Sequence, residues 1–378
     1  MTQNTGQGAT QPAAKAPAAQ GAFRKGTQPT ALATGFSQTL TMTTATQQIQ
    51  TWQLPTSNIL RCIYLEVKLT TSGNSATVAF NTPDAPLNIF STVNFMDNTG
   101  TSIVGSFDSY TLAVVQKYGG YDSSSDMRAS AVYSATTGSG STGGSANMVF
   151  KIPVEIVSRT GFASLENTSS NSPLQLQLVL NSSSAVYSTA PTTLPSVAIT
   201  ATLGGYWAGP PSNAAQAPQN FGTTSFWQRG TSTGLNGSMN YTLPNVGLGL
   251  PMRSWVYLNY ATGGARSDAD FPNPLQVNFR GNILKQYSQN LWADEMSRSY
   301  GYTSTTKDTA NGLDTGVYVI PFNQDFTRKP GDDSGNGWLN TATGDPVTLI
   351  GSWGGSSTLY NLNNFLNIKG AAGAPASS

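Results

Sequence analysis

The chain has 378 residues, enough for about two domains of ordinary size. Its 19 Lys and Arg residues balance 18 Asp and Glu residues, and this net charge of +1 gives no general reason to expect nucleic acid or an acidic partner. Only 10% of the residues are charged, which suits a protein whose outer faces contact copies of itself. A secreted β protein with a neutral polar surface is the open alternative.

Histidine is absent, and Cys62 is the single cysteine. Catalytic triads therefore have no imidazole, and zinc sites built on His or paired Cys lack their ligands. One cysteine cannot form an intramolecular disulfide, and the strand-like surroundings of Cys62 predict a buried, inert thiol. We expect no enzymatic activity, cofactor or metal, although a two-carboxylate glycosidase and calcium near Asp332 and Asp333 stay formally open.

Residues 1–36 are predicted to form a flexible, disordered N-terminal arm. Residues 1 to about 30 hold almost no large apolar side chain, so ordering them is not offset by burial. Phe23, Arg24 and Lys25 are the candidate contact residues of this arm. The opening MTQNTGQGATQ has no basic segment followed by an apolar core, so we expect no signal peptide and synthesis in a cytoplasm.

Beyond the arm, the dominant hydrophobic period is two. Ile63, Leu65, Val67 and Leu69 alternate with polar or smaller residues, and the same alternation returns in residues 174–180, 197–203, 275–279, 317–319 and 347–349. Such alternation predicts half-buried strands of antiparallel sheets. Because Gly, Pro and Asn turns separate these strands, the pattern favours an all-β fold of β-sandwiches over a βαβ fold.

A first helix is predicted over residues 109–118. Tyr110, Val114 and Tyr118 repeat at helical spacing. Asp108 is placed to cap the start of the helix, and Gly119–Gly120 ends it. The three apolar residues are candidate helix-packing or subunit-contact residues.

A second helix is predicted over residues 282–300. Its candidate packing or subunit-contact residues are Leu284, Tyr287 and Leu291, with Trp292 and Met296 beside this stripe. Each helix follows a strand and turn in its own half of the chain, which indicates a quasi-repeat of two β-rich halves.

The join between the halves is predicted in residues 204–222, where Pro210, Pro211 and Pro218 interrupt strand pairing. The predicted organisation is an arm over 1–36, a first domain over 37–212, a second domain over 213–369 and a flexible C-terminal tail over 370–378.

Four segments follow one another in the first half: RCIYLEVKLTTSG, APLNIFSTVNFMDNTGTSIVGSFDSYTLAVVQKYGG, MVFKIPVEIVSRTGFASLEN and PLQLQLVLN. They resemble the first jelly roll of the double jelly-roll major capsid proteins of tailless, internal-membrane phages of the tectivirus type. The segment LQVNFRGNILKQYSQNLWADEMSRSYG continues the likeness in the second half. The resemblance covers about residues 37 to 368 and implies two consecutive eight-stranded jelly rolls, each with one short helix.

The resemblance implies a structural function, that of the major capsid protein of a bacteriophage. Three copies would form a pseudo-hexagonal homotrimer, and trimers would tile an icosahedral shell around an internal membrane and double-stranded DNA. The implied partners are the chain itself, minor capsid or vertex proteins and the viral membrane, without sequence-specific binding of nucleic acid. The implied location is the virion, after synthesis in the host bacterial cytoplasm.

A function of another class stays open beside this one. The chain has 7 Trp, 15 Tyr and 15 Phe residues, and exposed aromatic rings can form a sugar-binding surface. The alternative is therefore a carbohydrate-binding or adhesive β-sandwich, such as a phage spike. An enzyme ranks third.

Overall fold

The computed structural model describes residues 27–56, 58–81, 83–121, 126–158, 161–207, 223–243, 250–262, 264–303, 314–323, 337–341 and 346–368. Phe23, Arg24 and Lys25 lie outside these ranges, as do the predicted domain boundary at 212–213 and the predicted tail. Residues 28–36 of the predicted arm lie in the first strand, so the arm as predicted overlaps the sheet.

The first half of the chain contains strands β1 to β14. Their bounds are β1 Gln28–Thr41, β2 Gln47–Gln48, β3 Trp52–Gln53, β4 Asn58–Thr70, β5 Asn74–Phe80, β6 Phe90–Met96, β7 Ser102–Phe107, β8 Ser134–Ala135, β9 Gly138–Gly140, β10 Ala146–Pro153, β11 Leu165–Asn167, β12 Gln175–Leu180, β13 Tyr187–Thr189 and β14 Ser196–Trp207. Its helices are α1 Ser109–Tyr118 and α2 Ser183–Val186, with a 3-10 turn at Met127–Ala129.

The second half contains strands β15 to β21 and one helix within the described ranges. Their bounds are β15 Thr223–Thr242, β16 Pro251–Ala261, β17 Leu275–Phe279, β18 Asn282–Tyr287, α3 Gln289–Tyr300, β19 Val317–Pro321, β20 Leu339–Asn340 and β21 Val347–Ile368.

The first half folds into two main antiparallel sheets and one small sheet. The first has the order β1-β14-β4-β10-β8 with β11 on β4, the second has the order β7-β6-β12 with β2 and β3 on β12, and the small sheet has the order β13-β5-β9. The predicted alternation holds, since Ile63, Leu65 and Val67 of β4 are buried in the core. Cys62 is also buried, as predicted, and burial raises the pKa of its thiol.

The second half repeats this strand arrangement. β16 pairs with β19 and with the later part of β21, as β4 pairs with β10 and β14. β17 pairs with β18 and with the earlier part of β21, as β6 pairs with β7 and β12. β15 pairs along β21, as β1 pairs with β14. The long strands β15 and β21 each serve both sheets, so each half fills eight strand positions and the fold is two consecutive jelly rolls.

The first predicted helix is confirmed. α1 begins after Asp108, whose carboxylate accepts a hydrogen bond from the Thr111 N–H at 2.8 Å. It ends at Gly119, whose N–H donates to the Val115 carbonyl at 2.8 Å. The β6–β7 hairpin precedes α1, in agreement with the strand and turn predicted before this helix.

The second predicted helix is shorter than expected, and the prediction was wrong for Leu284 and Tyr287. Both residues lie in β18, because Arg280 and Gly281 have φ values of 51° and 76° and turn the chain back along β17. The helix begins only after Ser288, whose hydroxyl accepts a hydrogen bond from the Leu291 N–H.

The expectation of one helix per jelly roll was incomplete, because the first roll contains the single-turn helix α2 in addition to α1. Within the described ranges, no helix combines the length and the apolar character that a membrane crossing requires.

Candidate functional site: the inter-roll seam and an exposed hairpin

The two jelly rolls meet at a seam formed by β7 and α1 of the first roll and by β15, β16 and neighbouring loops of the second. β15 runs parallel beside β7, with Trp227 opposite Val104. The Trp227 side chain is buried, and its indole N–H donates to the hydroxyl of Tyr121, just after α1. The second roll therefore covers a sheet edge of the first, which removes that edge as a pairing surface for other chains.

The candidate residues of α1 are buried in this seam or in the adjoining core. Tyr110, Val114 and Tyr118 are all fully inaccessible to solvent. The Arg266 guanidinium lies 4.4 Å from the centre of the Tyr110 ring, and the Tyr300 ring lies 5.8 Å from the Tyr118 ring. Tyr110 and Tyr118 thus contact the second roll of their own chain, so these side chains are closed to a neighbouring copy.

A buried ion pair crosses the seam. The Lys117 ammonium at the end of α1 lies 2.9 and 3.0 Å from the two carboxylate oxygens of Asp314. Both side chains are almost completely buried. The Tyr118 hydroxyl and the Thr303 N–H also donate to Asp314. Burial, reinforced by the neighbouring Asp314 carboxylate, holds the pKa of Tyr118 well above its ordinary value, so the phenol stays a neutral donor.

A second cation at the seam has backbone partners. Arg253 of β16 is fully buried and donates to the carbonyls of Gly119 and Gly120 and to the side-chain oxygen of Asn364. Gly120 has a φ of +68°, and a Cβ added there would lie 2.8 Å from the Arg253 Nη2. The Arg253 guanidinium therefore places a positive charge beside the two glycines that end α1. The helix dipole favours a positive charge at this C-terminal end.

The third seam contact pairs Arg266 with Asp84. The Arg266 Nε lies 2.8 Å from the Asp84 Oδ1, and the Arg266 side chain is buried. Burial raises the pKa of Asp84 even though Arg266 lies beside its carboxylate. A more exposed pair, Arg229 and Asp108 at 3.2 Å, lies at the start of α1. Such directional contacts fix the orientation of one roll on the other.

Nothing in the local sequence pattern marked Lys117, Arg253 or Asp314 as contact residues. The available signal was indirect: Lys117 is the single charged residue in α1, which is buried on nearly all sides. In the part of the chain that the structure describes, no group of three or more His, Cys, Asp or Glu side chains could hold a metal ion.

The candidate residues of the second half are placed differently. Leu284 is 40% exposed and Leu291 is 48% exposed, whereas Tyr287 is mostly buried. Ile283, next to Leu284, is 57% exposed. β18 is the edge strand of its sheet, so apolar side chains of an edge strand and of the first turn of α3 are exposed to solvent.

No protein-family model matches the sequence, and no curated protein matches it significantly. Solved structures do match. The STIV major capsid protein, from Sulfolobus Turreted Icosahedral Virus, is 13% identical with a TM-score of 0.63, covering 91% of this chain and 99% of that one. The major capsid protein of bacteriophage PM2 is 9% identical with a TM-score of 0.55, covering 92% and 100%. The Faustovirus major capsid protein is 11% identical with a TM-score of 0.52, covering 94% and 91%.

These similarities define the class of fold. The chain has the double jelly-roll fold, and it spans nearly the whole length of the major capsid proteins with which it shares that fold. The similar structures come from viruses of several kinds, including a Sulfolobus virus and a bacteriophage, so the likeness is broader than the phage group to which the sequence pointed.

Proposed function

We propose that this chain is a major capsid protein, the structural subunit of an icosahedral virion shell. The observation that carries the proposal is the double jelly roll, which is shared along almost the full chain with major capsid proteins of several viruses. The low charge of the chain agrees with a surface that contacts copies of itself. In this role the chain is located in the virion and has no catalytic function.

The proposal extends to the assembly unit. The seam holds two similar rolls in one orientation through Lys117–Asp314 and Arg253, so three copies present six similar rolls. We infer a pseudo-hexagonal homotrimer that tiles a shell around an internal membrane and double-stranded DNA, joined by minor capsid or vertex proteins. A bacteriophage is the virus type that the sequence resemblance favours, with synthesis in the bacterial cytoplasm.

The burial of four of the seven tryptophans supports a structural role over the carbohydrate-binding alternative, whereas Trp52 and Trp338 are partly exposed and stack on Phe36 and Phe162. Trp227, Trp255, Trp292 and Trp353 are all buried in the cores of the rolls or at the seam. A sugar stacks only on a ring face that solvent can reach. These four side chains therefore offer no platform to a glycan.

The test is the native mass of the purified protein. We expect a species at about three times 39.7 kDa that resists dilution, and hexagonal particles of this size by negative-stain electron microscopy. A monomer that binds glycans on an array would contradict the proposal and support the adhesive alternative.

We propose that the N-terminal arm contributes to contacts between trimers or with the membrane through Phe23, Arg24 and Lys25. The support is its composition, because residues 1–26 form a polar segment with one aromatic residue and three cations, two of them next to Phe23, which suits ordering on contact. Deleting residues 1–26 spares β1 and is expected to lower shell yield while trimers keep their mass. Shells of unchanged yield and thermal stability would contradict this role, and a deletion of residues 370–378 serves as the matched control.

A further inference from the structure

The strand and helix that form a hairpin-to-helix unit are covered in the first roll but exposed in the second. In the first roll, β7 and α1 are covered by the second roll, and Ile103 and Val104 of β7 are buried. In the second roll, the equivalent strand is β18 and the equivalent helix is α3. Here Ile283, Leu284 and Leu291 are exposed. We name these three residues the β18–α3 face.

The strand that covers β7 also has an equivalent. β15 is the first strand of the second roll and pairs antiparallel with the last strand, β21. β1 is the first strand of the first roll and pairs antiparallel with the last strand, β14. β1 is an edge strand of its sheet, and Leu32, near its start, is 44% exposed. Leu32 and Trp227 lie at the same distance from the start of β1 and of β15. Trp227 is the residue of β15 that lies opposite β7.

The exposed apolar side chains follow this equivalence. The large hydrophobic residues exposed among the described residues are Leu32, Val132, Ile283, Leu284 and Leu291. All but Val132 lie either on the β18–α3 face or on the β1 edge. Exposed apolar strand edges are association sites unless something covers them.

From the internal repeat we propose that the β18–α3 face of one copy is covered by the β1 edge of the next copy, as β15 covers β7 within a chain. Leu32 of the incoming edge then packs near Leu284 and Leu291. The contact is head-to-tail, because every copy offers one face and one edge. A closed ring satisfies both on every copy. This inference rests on the proposed trimer and specifies the surfaces that join its subunits.

The pairing is also compatible in charge. The segment QPTALATGFSQTLT that forms β1 contains no charged residue, so it brings no like charge toward Lys285 in β18 or Arg298 in α3. The proposed contact therefore does not require ion pairs like those of the intrachain seam. Apolar contact together with strand pairing supplies the attraction between the two copies.

The first test introduces charge on the face with Leu284→Asp and Leu291→Asp in one variant of the full chain. Native mass spectrometry is expected to show loss of at least nine-tenths of the trimer in favour of monomer. Val132→Asp is the matched control, since Val132 is 47% exposed and lies off the face, and it is expected to keep the trimer. Circular dichroism and thermal melting of each variant establish that the rolls remain folded.

The outcomes separate this inference from the proposed function. A double variant that stays trimeric overturns the interface and leaves the capsid function standing. A wild-type chain that is monomeric overturns the trimer and, with it, the interface.

A second test does not depend on destabilising variants. Leu32→Cys is combined with Leu284→Cys in one chain and with Leu291→Cys in another, and each is oxidised mildly. Covalent dimers and trimers are expected on a non-reducing gel from at least one pair, and none from the three single variants, because Cys62 is buried. Absence of linked chains from both pairs in a trimeric sample overturns the proposal.

Discussion

Asp314→Ala is expected to lower the free energy of unfolding by about 3–5 kcal/mol. The substitution leaves the Lys117 ammonium buried without the carboxylate that lies 2.9 Å from it, and it removes the acceptor of the Tyr118 hydroxyl. Asp126, at 3.4 Å from the ammonium, is partly exposed and is also paired with Arg128. Its carboxylate therefore replaces Asp314 only in part.

Guanidinium denaturation at fixed protein concentration, followed by tryptophan fluorescence, measures this loss. Asp294→Ala is the matched control, because Asp294 forms an exposed pair with Arg298 four residues on, and such pairs contribute about 0.3–0.5 kcal/mol. The double variant Lys117→Met with Asp314→Leu is expected to recover most of the loss, since it removes both charges. A single variant as stable as the control would show that the pair does not hold the seam.

Arg253→Met is expected to have the second large effect and to lower the free energy of unfolding by about 3–5 kcal/mol. Buried hydrogen bonds to a charged group contribute roughly 1.5–3 kcal/mol each. The substitution leaves the carbonyls of Gly119 and Gly120 without this donor. Arg253→Lys is expected to recover only part of the loss, since an ammonium lacks the planar fork that reaches both carbonyls. Urea denaturation of the three proteins measures the ranking, and equal stability of wild type and Arg253→Met would contradict it.

The same contact is tested from its other side by Gly120→Ala. Its Cβ would meet the Arg253 Nη2 at 2.8 Å, at a φ of +68°. Gly100→Ala is the matched control: Gly100 has a φ of +85°, with nothing within 4 Å of the added Cβ. The control is expected to lose only the left-handed backbone term of about 1–2 kcal/mol. Gly120→Ala is expected to lower the free energy of unfolding clearly more than the control does. Equal losses would mean that the Arg253 side chain moves aside without cost.

Much of the fold followed from local patterns. The alternation in β4 predicted both the strand and its buried face, and Asp108 with Gly119 predicted both ends of α1. These signals depend on nearest neighbours and on hydrogen bonds three or four residues apart. The start of α3 was mispredicted because Leu284 and Leu291 fit a helical spacing, whereas the tight turn at Arg280 and Gly281 keeps the first of them in a strand.

The seam was not predictable in this way. Lys117 and Asp314 are far apart in sequence, and each alone has the character of an ordinary surface charge. Arg253 lies within an otherwise buried strand, but its partners are backbone carbonyls, which leave no mark on the amino-acid sequence. Contacts of this kind arise only when one roll is placed on the other.

Local residue patterns were enough to predict alternating strands in two repeated halves, each with a strand and turn that lead into a helix. The environment of the two helices depends instead on contacts between distant parts of the chain. Tyr110 and Tyr118 of α1 became buried, and Leu291 of α3 stayed exposed, because β15 covers β7 whereas no described strand covers β18. Burial of equivalent helices depends on which strand lies at the open edge, and a local periodicity carries no information about that neighbour.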